Sequence, residues 1–298
     1  MMRTDPRSLS AIGLAGLLAF VLVPRQAPGG LVPALTKPDT AIAFMGDSIT
    51  QQGAGPLGYV TLVMEGLATN DIQAAAIKAG ISGHKSNNML ARLERDVIRH
   101  RPALMTLSCG VNDVWHGANG VALPAYRTNI TAIVSQAQAA GIEVVILTAS
   151  MIKEDPDNAL NAKLADYNIF LRELAAEKKC RLADVSEDMI DRVKAARAAG
   201  TKGNTLTTDG VHMNPQGNRM MAACLLRTLG LDDAQLARAT AAWDRLATAE
   251  AAAAVKRAEA RRAAEAARQA QEAALKATQA QEAAAAAAMT MQDMTGAK

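Results

Sequence analysis

Residues 41–48 read Ala-Ile-Ala-Phe-Met-Gly-Asp-Ser, an apolar run that stops at a glycine, a carboxylic acid and a hydroxyl. A short continuous apolar run bounded by turn residues reads as a strand buried on both faces. Similar runs recur at 72–77, 104–107, 144–147 and 181–185. Between and after them, helix-period stretches occupy 59–68, 88–100, 125–140, 159–179 and 215–229. Strands that alternate with helices of this length predict a parallel sheet covered on both faces. The expected fold class is therefore α/β: a doubly wound, three-layer α/β/α domain with a five-stranded parallel sheet. In such folds the ligand site lies outside the carboxyl ends of the strands.

The polar residues fall where that rule requires. Gly46-Asp47-Ser48 follows the first apolar run, Gly80-Ile81-Ser82-Gly83 the second, and Gly110-Val111-Asn112-Asp113 the third. Asp209-Gly210-Val211-His212 comes just before the last helix-period stretch. Taken together and in this order, the four blocks resemble the SGNH (GDSL-type) hydrolases. The stretch Thr208-Asp209-Gly210-Val211-His212-Met213-Asn214-Pro215 is especially close to the last block of that family. The resemblance spans residues 46–212 and implies a flavodoxin-like fold and a serine hydrolase acting on carboxylic esters.

It also implies roles. Ser48 is the candidate nucleophile, set at a strand-to-helix turn where a helix start favours negative charge. The competing reading makes Ser48 only the cap of that helix. His212 is the candidate base, because neutral imidazole can carry a proton from serine to a leaving alcohol. Asp209 would accept the other ring N–H and fix the tautomer. The resemblance assigns the oxyanion hole to the N–H of Ser48, the N–H of Gly83 and the side-chain amide of Asn112, with Gly80 as the competing glycine. Asp47 and Asp113 adjoin these positions and read as supporting hydrogen-bonding residues. With His84 and Trp115 they are the candidate residues for substrate contact. Trp115 reads equally as substrate wall or as packing.

The other residues narrow the field. His116, like His84, flanks the site, but the two histidines have no ligand spacing for zinc, so no metal is expected. No cofactor is implied, and no phosphate-binding glycine loop occurs. His100 reads as a helix-end residue, and Cys109 as a buried small hydrophobe. Cys109, Cys180 and Cys224 form no Cys-x-x-Cys pair and no disulfide framework. The 32 Lys+Arg against 29 Asp+Glu leave a net charge of +3, too weak a bias to argue for nucleic acid.

The two ends differ from the middle. Arg3 and Arg7 precede an apolar stretch at 9–23, the build of an export signal or an N-terminal membrane anchor. Val32-Pro33-Ala34 is a candidate processing site, and no cysteine follows the apolar run to suggest a lipoprotein. Either way, a secreted or periplasmic location is expected. Composition changes after residue 231, and about half of 247–288 is alanine, the strongest helix former. The expected division is a leader at 1–34, a hydrolase domain at 35–231 and a long alanine-rich helical tail at 232–298. The tail is a candidate for self-association or for contact with an envelope partner.

The leading expectation is an exported serine esterase for short acyl groups, such as acetyl on carbohydrate. The expected partner is a small-molecule or glycan ester. The alternatives are a lipase or lysophospholipase for longer chains, and a non-catalytic envelope binding protein with a helical tail.

Overall fold

The computed structural model describes residues 30–37 and 40–295. Of the expected leader at 1–34, residues 1–29 lie outside them. In chain order the elements are β1 (Thr40–Gly46), α1 (Ser48–Gly53), α2 (Tyr59–Ala68), β2 (Ala74–Gly80), α3 (Ser86–Asp96), β3 (Leu104–Ser108), α4 (Val111–Trp115), α5 (Leu123–Ala139), β4 (Glu143–Leu147), α6 (Ala159–Glu177), β5 (Arg181–Ala183), α7 (Val185–Ala198), α8 (Pro215–Leu229) and α9 (Asp233–Thr295).

The five strands form one sheet in the order β2-β1-β3-β4-β5, and every pairing is parallel. β1 sits at the centre of the two-way winding, so chain leaving its carboxyl end meets chain from β2 on one side and β3 on the other. The central strands are apolar because helices cover both their faces: Ile42, Phe44, Leu104, Met105, Val145 and Ile146 are all buried. β2 is an edge strand with half-exposed positions, and it starts at Ala74 rather than at 72 because the preceding residues form a turn. β5 ends at Ala183, two residues earlier than expected, because Asp184 already caps α7.

The sequence reading left α7 out. Its charged and alanine-rich surface gives a weak apolar stripe, and only Met189 and Val193 in its body turn fully inward. α8 shows clear boundary signals: Asn214 accepts from the N–H groups of Gln216 and Gly217, Pro215 opens the helix, and Gly230 closes it.

Both ends of the described chain touch this domain. The N–H of Val32 donates to the carbonyl of Leu229 (2.9 Å), and Val32, Ala34 and Leu35 are buried. The candidate processing site at 32–34 is thus packed structure. At the other end, Leu236, Ala239, Ala242 and Trp243 are buried at the start of α9, and the Trp243 indole N–H donates to the carbonyl of Leu62 in α2 (2.7 Å). The segment expected as tail from 232 onward therefore begins with about three helical turns seated on the domain. From 254 onward every side chain whose exposure is described is exposed. No helix among the described residues is long and apolar enough to cross a membrane.

Candidate active site

The turn after β1 places Ser48 first in α1, so its N–H is among those that a helix start leaves pointing outward. The cap of α1 is Asp47, whose Oδ1 accepts from the N–H of Ile49 (2.9 Å). The Ser48 hydroxyl is therefore not used as the cap. It lies 2.9 Å from Nε2 of His212.

His212 comes from the loop between α7 and α8, and its Nδ1 lies 2.6 Å from Oδ2 of Asp209. The other oxygen of Asp209 accepts from the N–H groups of Val211 (3.0 Å) and His212 (2.8 Å), which locks the loop around its own carboxylate. Burial pushes the Asp209 carboxyl up, but the hydrogen bonds from His212 and from these N–H groups outweigh it and hold the group down at about 2. Asp209 is thus an anion throughout the neutral range. The Thr207–Met213 bridge and the bond from the Asn214 N–H to the carbonyl of Leu206 (2.9 Å) close the base of the loop.

Two further blocks arrive from β2 and β3. Gly83 adopts φ +75°, a left-handed conformation suited to glycine, and an added Cβ there would meet nothing within 4 Å. Asn112 lies in α4. Its Nδ2 is 3.2 Å from the carbonyl of His84 and 3.3 Å from Oδ2 of Asp47, and its Oδ1 is 3.3 Å from Nε2 of His116. Asp47 thus links the Ser48 turn to Asn112. Burial, with Asp113 nearby, lifts its carboxyl to about 6, against the opposing bond from Ile49.

The candidate contact residues separate into two groups. Asp113 is buried, and its Oδ1 accepts from the N–H (3.0 Å) and hydroxyl (2.6 Å) of Ser86, so it braces α3 rather than facing outward. Asp47 is likewise buried. Cys109 is buried as expected, and its thiol lies 3.4 Å from Oδ2 of Asp113. Trp115, by contrast, is 41% exposed at the end of α4, and His116 is exposed beside it. His84 is half-buried and accepts from Nε of Arg92 at Nδ1 (3.0 Å), which leaves its proton on Nε2. Burial and the adjacent guanidinium both lower its pKa. Among the described residues no cluster of His, Cys, Asp and Glu could hold a metal ion.

Several supporting residues were missed by sequence reasoning. Arg92 is buried, and its guanidinium donates to the carbonyls of Ala79 (2.8 Å) and Gly46 (2.9 Å), tying the ends of β1 and β2 to the His84 loop. Its only sequence signal is a cation on the inward stripe of an amphipathic helix, between Met89 and Leu93. Gln51 Oε1 accepts from the N–H (2.8 Å) and hydroxyl (2.6 Å) of Ser82, fixing the turn before Gly83.

Known proteins resemble this chain in sequence and in fold. A model of the GDSL-like Lipase/Acylhydrolase family matches residues 44–220. An acetylxylan esterase from Geobacillus stearothermophilus is 24% identical over 211 residues, covering 64% of this chain and 94% of that protein. Esterase TesA from Pseudomonas aeruginosa is 31% identical over 139 residues, 47% of this chain and 64% of that one. Among solved structures, the acetyl xylan esterase AlAXEase is 33% identical with a TM-score of 0.59, covering 62% of this chain and 98% of that chain.

Proposed function

Because the chain belongs to the GDSL-like lipase/acylhydrolase family, and is a carboxylic ester hydrolase of the SGNH type, we propose that it is an exported serine esterase that removes short acyl groups, such as acetyl, from carbohydrate. The observation that carries this reading is the hydrogen-bond chain from Ser48 Oγ through the His212 ring to Asp209.

In the proposed mechanism the Nδ1–H of His212 is donated to Asp209, which leaves Nε2 free to accept the Ser48 proton. Ser48 Oγ attacks the ester carbonyl, and the C–O bond to the alcohol breaks as His212 returns its proton to that oxygen. Water deprotonated by His212 then attacks the acyl-enzyme, releasing the acid and restoring Ser48. The negative oxygen of each tetrahedral intermediate is met by the N–H groups of Ser48 and Gly83 and by Nδ2 of Asn112. Arg92 and Gln51 hold two of the loops that supply these donors. No step needs a cofactor.

The preference for a short acyl group rests on what borders the site. Trp115 is the one large exposed apolar side chain among the described residues near Asn112. A single indole suits a sugar face or a small acyl group better than a long chain, which needs an extended apolar wall. The names of two relatives, both acetylxylan esterases, point the same way.

We place the end of the leader before Gly30, since processing at 32–34 would remove buried Val32 from the packed domain. The hydrolase domain then runs from there into the first turns of α9, with the solvated helix beyond as the tail.

The test is hydrolysis of p-nitrophenyl esters from acetyl to palmitoyl by the protein and by Ser48→Ala, alongside labelling with a serine-directed phosphonate. The expected result is a rate that falls with chain length, with neither hydrolysis nor labelling in the variant. Rates that rise with chain length would replace the short-acyl reading by a lipase-like one. Hydrolysis retained by Ser48→Ala would remove the serine mechanism.

A further inference from the structure

Beneath the loop that carries Asp209 and His212 lies a buried carboxylate that the proposed mechanism leaves unused. Glu154 is 4% exposed and follows β4, on a chain segment that precedes α6. Its Oε1 accepts from the N–H groups of Thr205 (2.5 Å) and Leu206 (2.8 Å), and its Oε2 from the N–H of Thr207 (2.8 Å) and from the Thr207 hydroxyl. Three successive backbone N–H groups converging on one side chain form a concavity that calls for an anion. Within this chain, Glu154 fills it.

The contact continues to the other side of Asp209. The Thr207 hydroxyl oxygen accepts from the N–H of Gly210 (3.1 Å), and the N–H of Glu154 itself donates to the carbonyl of Gly210 (3.1 Å). Gly210 has φ +93°, and a Cβ there would stand 2.8 Å from Cα of Lys153, so the two loops touch backbone to backbone. Lys153 and Glu154 both hold positive φ values, 60° and 44°, an uncommon conformation for two consecutive side-chain-bearing residues. Such backbone persists where its surroundings over-determine it, and it clusters at functional sites. Arg197 of α7 completes the clamp by donating to the carbonyl of Glu154 (3.2 Å) and to Asp155 (3.1 Å).

We propose that Glu154 is a positioning residue for the hydrolysis: it grips the chain upstream of Asp209 and, through Thr207, at Gly210, and so fixes the height and angle at which His212 meets Ser48. The proposal rests on the assignment of Ser48, Asp209 and His212 made above. Glu154 touches neither substrate nor reacting atoms. It acts on the imidazole through the loop. A misplacement of about 1 Å in a catalytic group can cost about 100-fold in rate, so the effect belongs in kcat and not in KM.

The experiment compares Glu154→Gln and Thr207→Val with the unaltered protein on p-nitrophenyl acetate. Glu154→Gln keeps length and shape but turns an amide NH2 toward donors. Thr207→Val removes the hydroxyl that joins Glu154 to Gly210, and it serves alone if the first variant does not fold. The expected result is a fall in kcat of about 10- to 100-fold with KM within about twofold. In an Asp209→Asn background, where the imidazole is already misdirected, Glu154→Gln or Thr207→Val should cost less than about threefold more. A kcat within twofold of normal in whichever variants fold, with only thermal stability lost, overturns the proposal. So does a full, additive loss in the Asp209→Asn background. Ser48→Ala, run in parallel, separates the two levels: if it still hydrolyses the ester, the underlying mechanism fails, whereas an inactive Ser48→Ala beside a normal Glu154→Gln removes only the role of Glu154.

Discussion

Nε2 of His212 stands 2.9 Å from Oγ of Ser48, although 164 residues separate them in the chain. The pair is productive only in one tautomer, with the ring proton on Nδ1 and a lone pair on Nε2. Asp209, 2.6 Å from Nδ1 and held ionised at about 2, selects that tautomer. Asp209→Asn should therefore leave the fold intact and lower kcat/KM by about 10⁴-fold, because an amide NH2 at Oδ2 favours the opposite tautomer. Steady-state hydrolysis of p-nitrophenyl acetate with circular dichroism as the folding control decides it. A loss of less than tenfold would mean that Asp209 does not orient the ring.

Asn112 should act on the transition state alone. Its Nδ2 donates over long distances to Asp47 (3.3 Å) and to the His84 carbonyl (3.2 Å), so one of these two N–H groups is exchanged for the substrate oxygen as charge develops there. Asn112→Ala should lower kcat by about 100- to 1000-fold with little change in KM. Asn112→Asp should be at least as damaging, since a second carboxylate would face Asp47. A change confined to KM would place Asn112 in substrate binding instead.

Asp47 carries a stability cost with a definite pH dependence. Its carboxyl sits at about 6 in the fold, above its ordinary 3.8, so the folded state binds this proton more tightly than the unfolded chain does. The sign follows from linkage: its contribution to stability is most favourable below about pH 4, falls as pH rises toward 6, and is a cost above that. The whole excursion amounts to about 3 kcal/mol. Asn at position 47 keeps the oxygen that caps α1 but does not titrate. The stability of Asp47→Asn relative to the unaltered protein should therefore rise between pH 4 and pH 7, while its activity falls because Asn112 loses an acceptor. Urea midpoints at four pH values measure this, and a difference that stays flat would show that burial does not perturb Asp47.

How much of this was legible in the sequence depends on where the partners lie. β1, β3 and β4 are buried on both faces and write themselves as apolar runs. The edge strand β2 also reads as an apolar run, but its bounds are blurred by Lys78 and its alanines and it starts two residues later than expected, while the weakly amphipathic α7 is hidden by its charges. Gly46-Asp47-Ser48, Gly83, Asn112 and Asp209–His212 are local blocks at strand ends or helix starts, so a reader of the chain finds each one, and the fold brings them to one place. Arg92 and Glu154 are different. Their meaning is set by carbonyls and N–H groups 13 to 53 residues away. A lone Glu in Ile152-Lys153-Glu154-Asp155 gives no sign that three amides will converge on it. Trp243 was masked by the alanines around it, although Leu236, Ala239, Trp243 and Leu246 do keep a helical period.

That period sets the last prediction, which concerns where the folded unit stops. The Trp243 ring is buried against α2 with its N–H on the carbonyl of Leu62, Arg219 reaches Asp244 at 2.7 Å, and Arg238 donates to Asn70 at 2.9 Å. Gly66 of α2 approaches Ala239 and Leu226 so closely that a Cβ would stand 2.6 Å from the leucine and 3.1 Å from Ala239. These contacts belong to a packed core, and losing an aromatic from one costs about 3–5 kcal/mol. Trp243→Ala, and a chain ending at Asp232, should both lower the melting temperature by ten degrees or more, on the order expected for that loss. A chain ending at Glu250 removes only solvated helix and should keep both its melting temperature and its esterase activity. If ending the chain at Asp232 proved harmless, the first turns of α9 would contribute nothing to the domain, and the composition change near residue 231 would mark its physical edge. If ending it at Glu250 were the damaging change, the exposed alanine-rich helix would have to be held by a contact outside this chain, with self-association the first to test by sedimentation.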